Sequence, residues 1–158
     1  MSVAAVCPGS FDPITLGHLD IIERAAQRFD RLVVAVLENP RKEALFTVEE
    51  RIGLIRAEVD HHEGVEVDRF QGLLVDFCNA RGIGIVCKGL RAVSDFEYEL
   101  QMAQMNRRIG GVETVFMSTS PEHSYLSSSL VKEVARFGGP LTGTVPERVE
   151  AALKTKLR

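Results

Sequence analysis

Apolar runs and amphipathic stretches alternate along the chain. Val3 to Cys7 reads as a short apolar strand that breaks at Pro8-Gly9-Ser10. A tight loop, Phe11-Asp12-Pro13, follows, and then Leu19, Ile22, Ala26 and Phe29 recur at the spacing of one helix face. Arg31 to Leu37 (RLVVAVL) is a continuous apolar run, as expected of a buried strand in a parallel sheet. Thr47-Val48-Glu49-Glu50 has the pattern of a capping box. It opens a helix that turns Ile52, Ile55 and Val59 inward and ends near His61-His62. Val65 to Phe70 alternates as a third strand. Gln71-Gly72 turns the chain into a helix bearing Leu73, Leu74, Phe77 and Cys78, with Gly82 placed as its C-terminal cap. Ile83 to Cys87 is a fourth strand, running into Lys88-Gly89-Leu90-Arg91. Ser94-Asp95-Phe96-Glu97 is a second capping box, opening a long helix to about Arg108. Val112 to Met117 is the fifth strand. The loop Ser118 to Tyr125 leads to Ser127-Ser128-Ser129 and a helix that stops at Gly138-Gly139. Thr144-Val145-Pro146-Glu147 starts a last helix, about 146–157, whose Lys154, Lys156 and Arg158 suit the negative end of the helix dipole.

This alternation predicts an α/β fold: a five-stranded parallel sheet with helices on both faces, joined by right-handed crossovers. The 158 residues fit one domain, 1–158. Ligands in such sheets bind beyond the carboxyl ends of the strands, where the winding reverses. Each chemically suggestive segment follows a strand, so all can meet at one cleft.

Composition narrows the partners. The net charge of −3 argues against a general nucleic-acid binder. Cys7, Cys78 and Cys87 are dispersed in apolar segments and read as reduced core thiols. The N-terminus shows no secretory pattern, and the longest apolar run, Val33 to Leu37, is far short of a membrane span. The expected location is the cytoplasm. His61 and His62 are adjacent, so they diverge on a helix and make a poor metal pair.

A strand, a glycine-bearing loop and a helix start together form an anion site, because the free N–H groups and dipole of the first turn point at the ligand. Gly17 would let backbone approach a phosphate closely, and His18 would place an imidazole beside it. Lys42, Lys88 and Arg91 supply local positive charge on the same edge, of the kind that phosphate-bearing ligands need. Ser127-Ser128-Ser129 offers hydroxyls and N–H groups at another helix start. Asp12 reads as a turn residue.

The Thr15-x-Gly17-His18 motif after Pro8-Gly9-Ser10-Phe11-Asp12-Pro13 resembles the T/H-x-G-H nucleotidyltransferase superfamily. The full string, with Asn39-Pro40 and Lys42, Lys88 to Arg91, Asp95 to Glu99 and Ser127 to Glu133, resembles the bacterial phosphopantetheine adenylyltransferases. The resemblance spans roughly Ala4 to Gly139. It implies a Rossmann-like sheet in the order 3-2-1-4-5 and adenylyl transfer from ATP to 4′-phosphopantetheine, giving dephospho-coenzyme A and pyrophosphate. It assigns ATP to Ser10, Phe11, His18, Gly89, Leu90, Arg91, Glu99, His123, Ser124, Tyr125, Leu126, Ser127, Ser128 and Ser129. The phosphopantetheine falls to Ser10, Lys42, Leu74 and Lys88, the last an arginine in many relatives. His18 would stabilise the transition state and Lys42 would share the catalytic role. The resemblance further implies Mg2+ carried by the nucleotide, inhibition by coenzyme A, and a homohexamer built as a dimer of trimers. An apolar excess on the helix from Ser94 (Phe96, Tyr98, Leu100, Met102, Met105) agrees with a subunit contact.

Alternatives stay open at this point. Glu99 on a solvated helix face and Tyr125 as a packing residue are the plain readings of those two. A nicotinate mononucleotide adenylyltransferase would usually show S-S-T-x-x-R, and a cytidylyltransferase R-T-x-G-[IV]-S-T-[ST]; neither is present. A nucleotide-sensing protein that keeps the fold without turnover is the rival from another class, and intact His18 and Lys42 weigh against it.

Overall fold

The computed structural model describes residues 1–91 and 96–157. The capping box at Ser94-Asp95 and the charge of Arg158 lie outside the described residues. Five strands form one all-parallel sheet: β1 (Ala4–Gly9), β2 (Arg31–Leu37), β3 (Val65–Phe70), β4 (Ile85–Leu90) and β5 (Glu113–Ser118). Their order is β3-β2-β1-β4-β5, the order expected. The helices are α1 (Leu16–Ala26), α2 (Val48–Val59), α3 (Leu74–Ala80), α4 (Phe96–Gly110), α5 (Ser128–Arg136) and α6 (Glu147–Lys156), with a single 3-10 turn at Pro121–His123.

The chain winds out through β1, α1, β2, α2 and β3, then crosses back to β4, so the winding reverses between β1 and β4. One side of the sheet is covered by α1, α2, α5 and α6, through Ile22, Ile55, Val131, Val149 and Leu153. The other is covered by α3, through Val75 and Cys78, with α4 packed on α3. β2 is buried on both faces, and Leu32 to Val36 are each at most 1% exposed. Full burial of each such Val or Leu contributes about 1.5–3 kcal/mol relative to exposure, which explains the unbroken apolar run.

Local chemistry sets the ends. Gly82 has φ +67 and follows α3: its N–H donates to the Asn79 carbonyl, and that of Ile83 to Cys78, a Schellman closure. Thr47 caps α2 by accepting from the Glu50 N–H at 3.1 Å. The expected return bond from Glu50 is absent among the described residues; its carboxylate instead holds Lys156 of α6 at 2.8 Å.

Several boundaries move by two or three residues. β1 continues through Pro8 and Gly9, and β4 starts at Ile85 and takes in Lys88, Gly89 and Leu90, which the sequence reading left to the following loop. Phe29 lies beyond the end of α1. α3 begins at Leu74, leaving Leu73 exposed.

The sheet also splits where the winding reverses. β1 pairs with β2 from Ala4 to Gly9 but with β4 only at Ala5 and Val6. The Val3 carbonyl accepts from Asp30 and Arg31 beside β2, so the polar groups of Ala5 and Cys7 face β2 and those of Val6 and Pro8 face β4. Proline has no N–H to give. The pairing therefore ends at Val6, and the two strands part to form a cleft.

Candidate active site

That cleft is a cavity of about 310 Å3 between the ends of β1 and β4. β1 contributes Cys7, Pro8 and Gly9, and β4 contributes Cys87 to Leu90. The start of α1 contributes Thr15, Gly17 and His18. Gly89 is required by packing, because a Cβ there would stand 2.9 Å from Ile21 Cγ1 on α1.

His18 is held by its own helix cap. Thr15 precedes α1, and its Oγ1 accepts from the His18 N–H at 3.3 Å. In return the Thr15 N–H donates to His18 Nδ1 at 3.0 Å. This is a capping box with histidine in the usual place of glutamate. Nδ1 acts as an acceptor, so the ring proton sits on Nε2. Phe11 packs edge-on against the imidazole, with ring centroids 5.1 Å apart and planes at 74°. Phe11 itself has φ +49, a left-handed backbone that a bulky residue rarely adopts. Burial, helped by the positive charges of Arg91 and Lys88, pushes the His18 pKa down to about 4. At neutral pH the ring is therefore an uncharged, oriented N–H donor.

Two cations stand close by. Arg91 is pinned by a 2.8 Å bond from Nη1 to the Leu126 carbonyl. Lys88 forms an ion pair with Glu99 of α4 at 3.4 Å. Lys88 and Glu99 line the main cleft and also a second, smaller one of about 100 Å3, whose walls include Leu74, Tyr98 and Met102. The two clefts thus meet at Lys88.

The far wall comes from the segment after β5. Asp20 accepts from Ser120 Oγ at 2.9 Å and from Arg24 at 3.0 Å, and Arg24 also reaches the Ser118 carbonyl. These bonds fasten that segment to α1 and place His123 in the cleft wall. Nδ1 of His123 is buried and has no hydrogen-bond partner among the described residues. Ser127 Oγ caps α5 by accepting from the Leu130 N–H at 3.1 Å, and Ser128 Oγ donates to the Pro13 carbonyl at 2.7 Å.

Of the residues singled out in the sequence, Phe11, His18, Lys88, Gly89, Leu90, Arg91, Glu99, His123, Leu126, Ser127 and Ser128 line the main cleft, and Leu74 lines the second. Lys42 does not line either cleft; it is exposed in the loop after β2. Ser10 directs its carbonyl to Arg51 at 2.8 Å. Ser124 Oγ donates to the Pro121 carbonyl, and Tyr125 and Ser129 are exposed. Among the described residues no group of three or more His, Cys, Asp or Glu is placed to hold a metal ion.

Sequence reasoning missed the frame beneath the site. Asp12 is more than a turn residue: its carboxylate is buried and accepts from the Leu45 and Phe46 N–H groups at 2.9 Å each and from Lys132 of α5 at 3.0 Å. Burial works to raise its pKa, but those bonds outweigh it and hold the carboxyl below its usual value. Arg51 is 5% exposed and donates to the carbonyls of Phe46, Ser10 and Leu37. The signal for it was available: an arginine standing among Val48, Ile52, Ile55 and Val59 on the inward face of α2.

Comparison with known proteins follows the same lines. A family model described as cytidylyltransferase-like matches residues 6–134. The chain is 60% identical over 157 residues to a phosphopantetheine adenylyltransferase of Frankia casuarinae, with 97% of each chain covered. It is 59% identical over 154 residues to one of Streptomyces coelicolor, covering 98% of this chain and 97% of that one. A crystal structure assigned as a nicotinate-nucleotide adenylyltransferase from Vibrio parahaemolyticus shares the fold, with a TM-score of 0.66 and 16% identity over 98% of this chain and 99% of that one. With this strand order, the T-x-G-H helix start in the cleft and the near-complete match to those relatives, the chain belongs to the phosphopantetheine adenylyltransferases, within the cytidylyltransferase-like family.

Proposed function

We propose that this protein transfers the adenylyl group of ATP to 4′-phosphopantetheine, releasing pyrophosphate and forming dephospho-coenzyme A. One observation carries the reading: two clefts share Lys88, so two phosphate-bearing reactants can meet at one cation. ATP takes the main cleft, with Arg91, His123, Ser127 and the neighbouring residues around its phosphates. The pantetheine arm takes the second, beside Leu74. The acceptor phosphate attacks the α-phosphate of ATP in line, and pyrophosphate leaves. Negative charge grows on the α-phosphate oxygens as the bond forms. The Nε2–H of His18 stabilises that charge, held in place by Thr15 and Phe11. Ser10, Ser124, Tyr125 and Ser129 stay with the ATP site and Ser10 and Lys42 with the acceptor, on the resemblance that first placed them there.

Lys42 belongs to a loop whose root is fixed by Asp12 and Arg51, so it reaches the acceptor phosphate by movement of the loop tip. The residues around the main cleft are cationic or neutral apart from Glu99, which is occupied by Lys88. They do not fit a protein-held metal. Mg2+ comes instead as the nucleotide's own counter-ion, and no step here is assigned to it. The working form is a cytoplasmic homohexamer, a dimer of trimers. Coenzyme A inhibits by occupying the same arm and diphosphate sites, and calorimetry with coenzyme A checks that directly.

The test is pyrophosphate release from ATP by the purified protein. Release is expected only when 4′-phosphopantetheine is added. Equal turnover with nicotinate mononucleotide overturns the substrate assignment, and no turnover with either, despite ATP binding, favours a nucleotide sensor.

A further inference from the structure

We propose that Cys7 and Cys87 form an oxidisable cross-strand thiol pair in the cleft wall, which a peroxide converts to a disulfide joining β1 to β4. The proposal does not depend on which acceptor the enzyme uses.

The register places the two cysteines together. Ala5 pairs with Ile85 and Val6 with Val86, so the next step along both strands sets Cys7 beside Cys87. Both side chains point to the α1 side of the sheet, with Ala5, Ile21 and Ile22, while Val6 and Val86 point to the other. Their thiols touch across the gap between the strands, one residue past the last β1–β4 pair, and a disulfide there requires a Cα separation of about 4.4–6.8 Å. The β1–β4 ladder has already ended at this level, so a new covalent link breaks no backbone bond. Both cysteines line the main cleft, whereas Cys78 is buried on the opposite face under α3. Met117 adds a third sulfur, with its Sδ 3.3 Å from Cys87 Sγ.

The pair is also polarised. Interaction with the neighbouring Cys87 thiol, together with burial, raises the Cys7 pKa, while interaction with Cys7 lowers that of Cys87 against the effect of burial. Cys87 is thus the sulfur that ionises first and attacks. Its thiolate takes an oxygen from hydrogen peroxide: the O–O bond breaks, hydroxide leaves and gains a proton as water, and Cys87 becomes a sulfenic acid. The Cys7 sulfur then attacks the Cys87 sulfur, the S–O bond breaks, and the hydroxide leaves with the Cys7 proton as a second water. Two thiols lose two electrons, and one peroxide gains them. In a reducing compartment such a bond is transient and reversible. It fixes the spacing of β1 and β4 directly below Gly9 and Lys88, in the wall of the cleft proposed for the nucleotide.

The test treats the full-length protein with hydrogen peroxide, maps disulfides by mass spectrometry of unreduced peptides, and measures ATP affinity by calorimetry. We expect a Cys7–Cys87 peptide and a fall from three free thiols to one, Cys78 remaining. ATP affinity should fall about tenfold, the scale of one displaced charged contact, and return on reduction. In Cys7→Ala the sulfenic acid on Cys87 should persist and react with dimedone. In Cys87→Val peroxide should leave ATP affinity unchanged. Three surviving thiols, a bridge that includes Cys78, a bridge between two chains, or an intramolecular Cys7–Cys87 bond with unaltered ATP affinity would each overturn the proposal. The mapping on the natural protein stands even where a variant folds poorly.

Discussion

The backbone N–H of Thr15 donates to Nδ1 of His18 at 3.0 Å, and this one bond settles where the histidine carries its proton. It ties the helix cap to the chemistry. The side chain that faces the cleft also satisfies a backbone donor that would otherwise be orphaned at the start of α1.

The capping role of His18 and its proposed role in catalysis can be separated by substitution. His18→Ala is expected to lower kcat by ~10²–10³, the usual cost of removing a donor that acts on the transition state. It should also lower stability by about 1 kcal/mol through the lost cap. His18→Gln can accept from the Thr15 N–H and should recover most of the stability while kcat stays low. Thermal melts and steady-state kinetics on both variants check this; recovery of kcat with glutamine would remove the imidazole from the mechanism.

Acidification should act on His18 through folding. Its pKa is about 4 in the folded protein against an ordinary 6.5, so as pH falls the unfolded chain takes the proton first. The stability of the neutral ring is complete above pH 6.5 and declines between 6.5 and 4. An NMR titration of the free enzyme should show no His18 midpoint near 6.5, and long-range nitrogen correlations should show the Nε2–H tautomer. A midpoint near 6.5 would contradict the neutral state.

Asp12→Ala should be far more damaging than a turn substitution. It leaves two N–H groups and the Lys132 ammonium without their acceptor, and breaking a buried pair costs about 3–5 kcal/mol. The folded carboxyl sits below its ordinary 3.8, so its contribution is present above that pH and lost as pH falls through the folded value. Urea unfolding measured against pH for the natural protein and the variant gives both quantities. A loss under 1 kcal/mol at neutral pH would show the clamp to be dispensable.

The sheet, its order and the edge where the chemistry gathers were legible because period and breakers are local signals. What stayed hidden depends on partners distant in the chain. Asp12 looks like any Asp-Pro turn until Leu45, Phe46 and Lys132 are brought around it. Cys7 and Cys87 sit in separate apolar runs, and only the β1–β4 register makes them neighbours. Lys88 to Leu90 read as a loop because a lysine and a glycine interrupt the apolar run, yet β5 pairs with all three. The histidine cap was readable: Thr15 and His18 have the spacing of a capping box, with an unusual third residue. The exposed position of Lys42 could not be read, since a loop tip has no periodicity.

Lys88→Ala should weaken both ligands, and 4′-phosphopantetheine more than ATP, because Arg91 remains for the nucleotide. The lost charged contact is worth about 1.5–3 kcal/mol, roughly ten- to a hundredfold in affinity. Calorimetry with each ligand decides it. A variant weakened toward ATP alone would mean that the second cleft does not hold the acceptor.

α4 has no fully buried residue, while Tyr98, Met105 and Ile109 are each more than half exposed. A face of this kind usually marks an interaction surface. Light scattering should return a hexamer of the 17.5 kDa chain, and Met105→Glu should shift it to smaller species. A natural protein that scatters as a single chain at micromolar concentration rules the assembly out.

Pro8 turns an omission into an address. A ladder of identical bonds has no preferred place to open, and any thermal fluctuation could part it anywhere along its length. One residue that cannot donate removes that freedom, at a cost of about 1 kcal/mol in net hydrogen bonding. The parting of β1 from β4 is thereby written into covalent structure and is there before any ligand arrives. Pro8→Ala would restore the donor and let the strands close further, so the fold would gain a bond and the enzyme would lose its doorway.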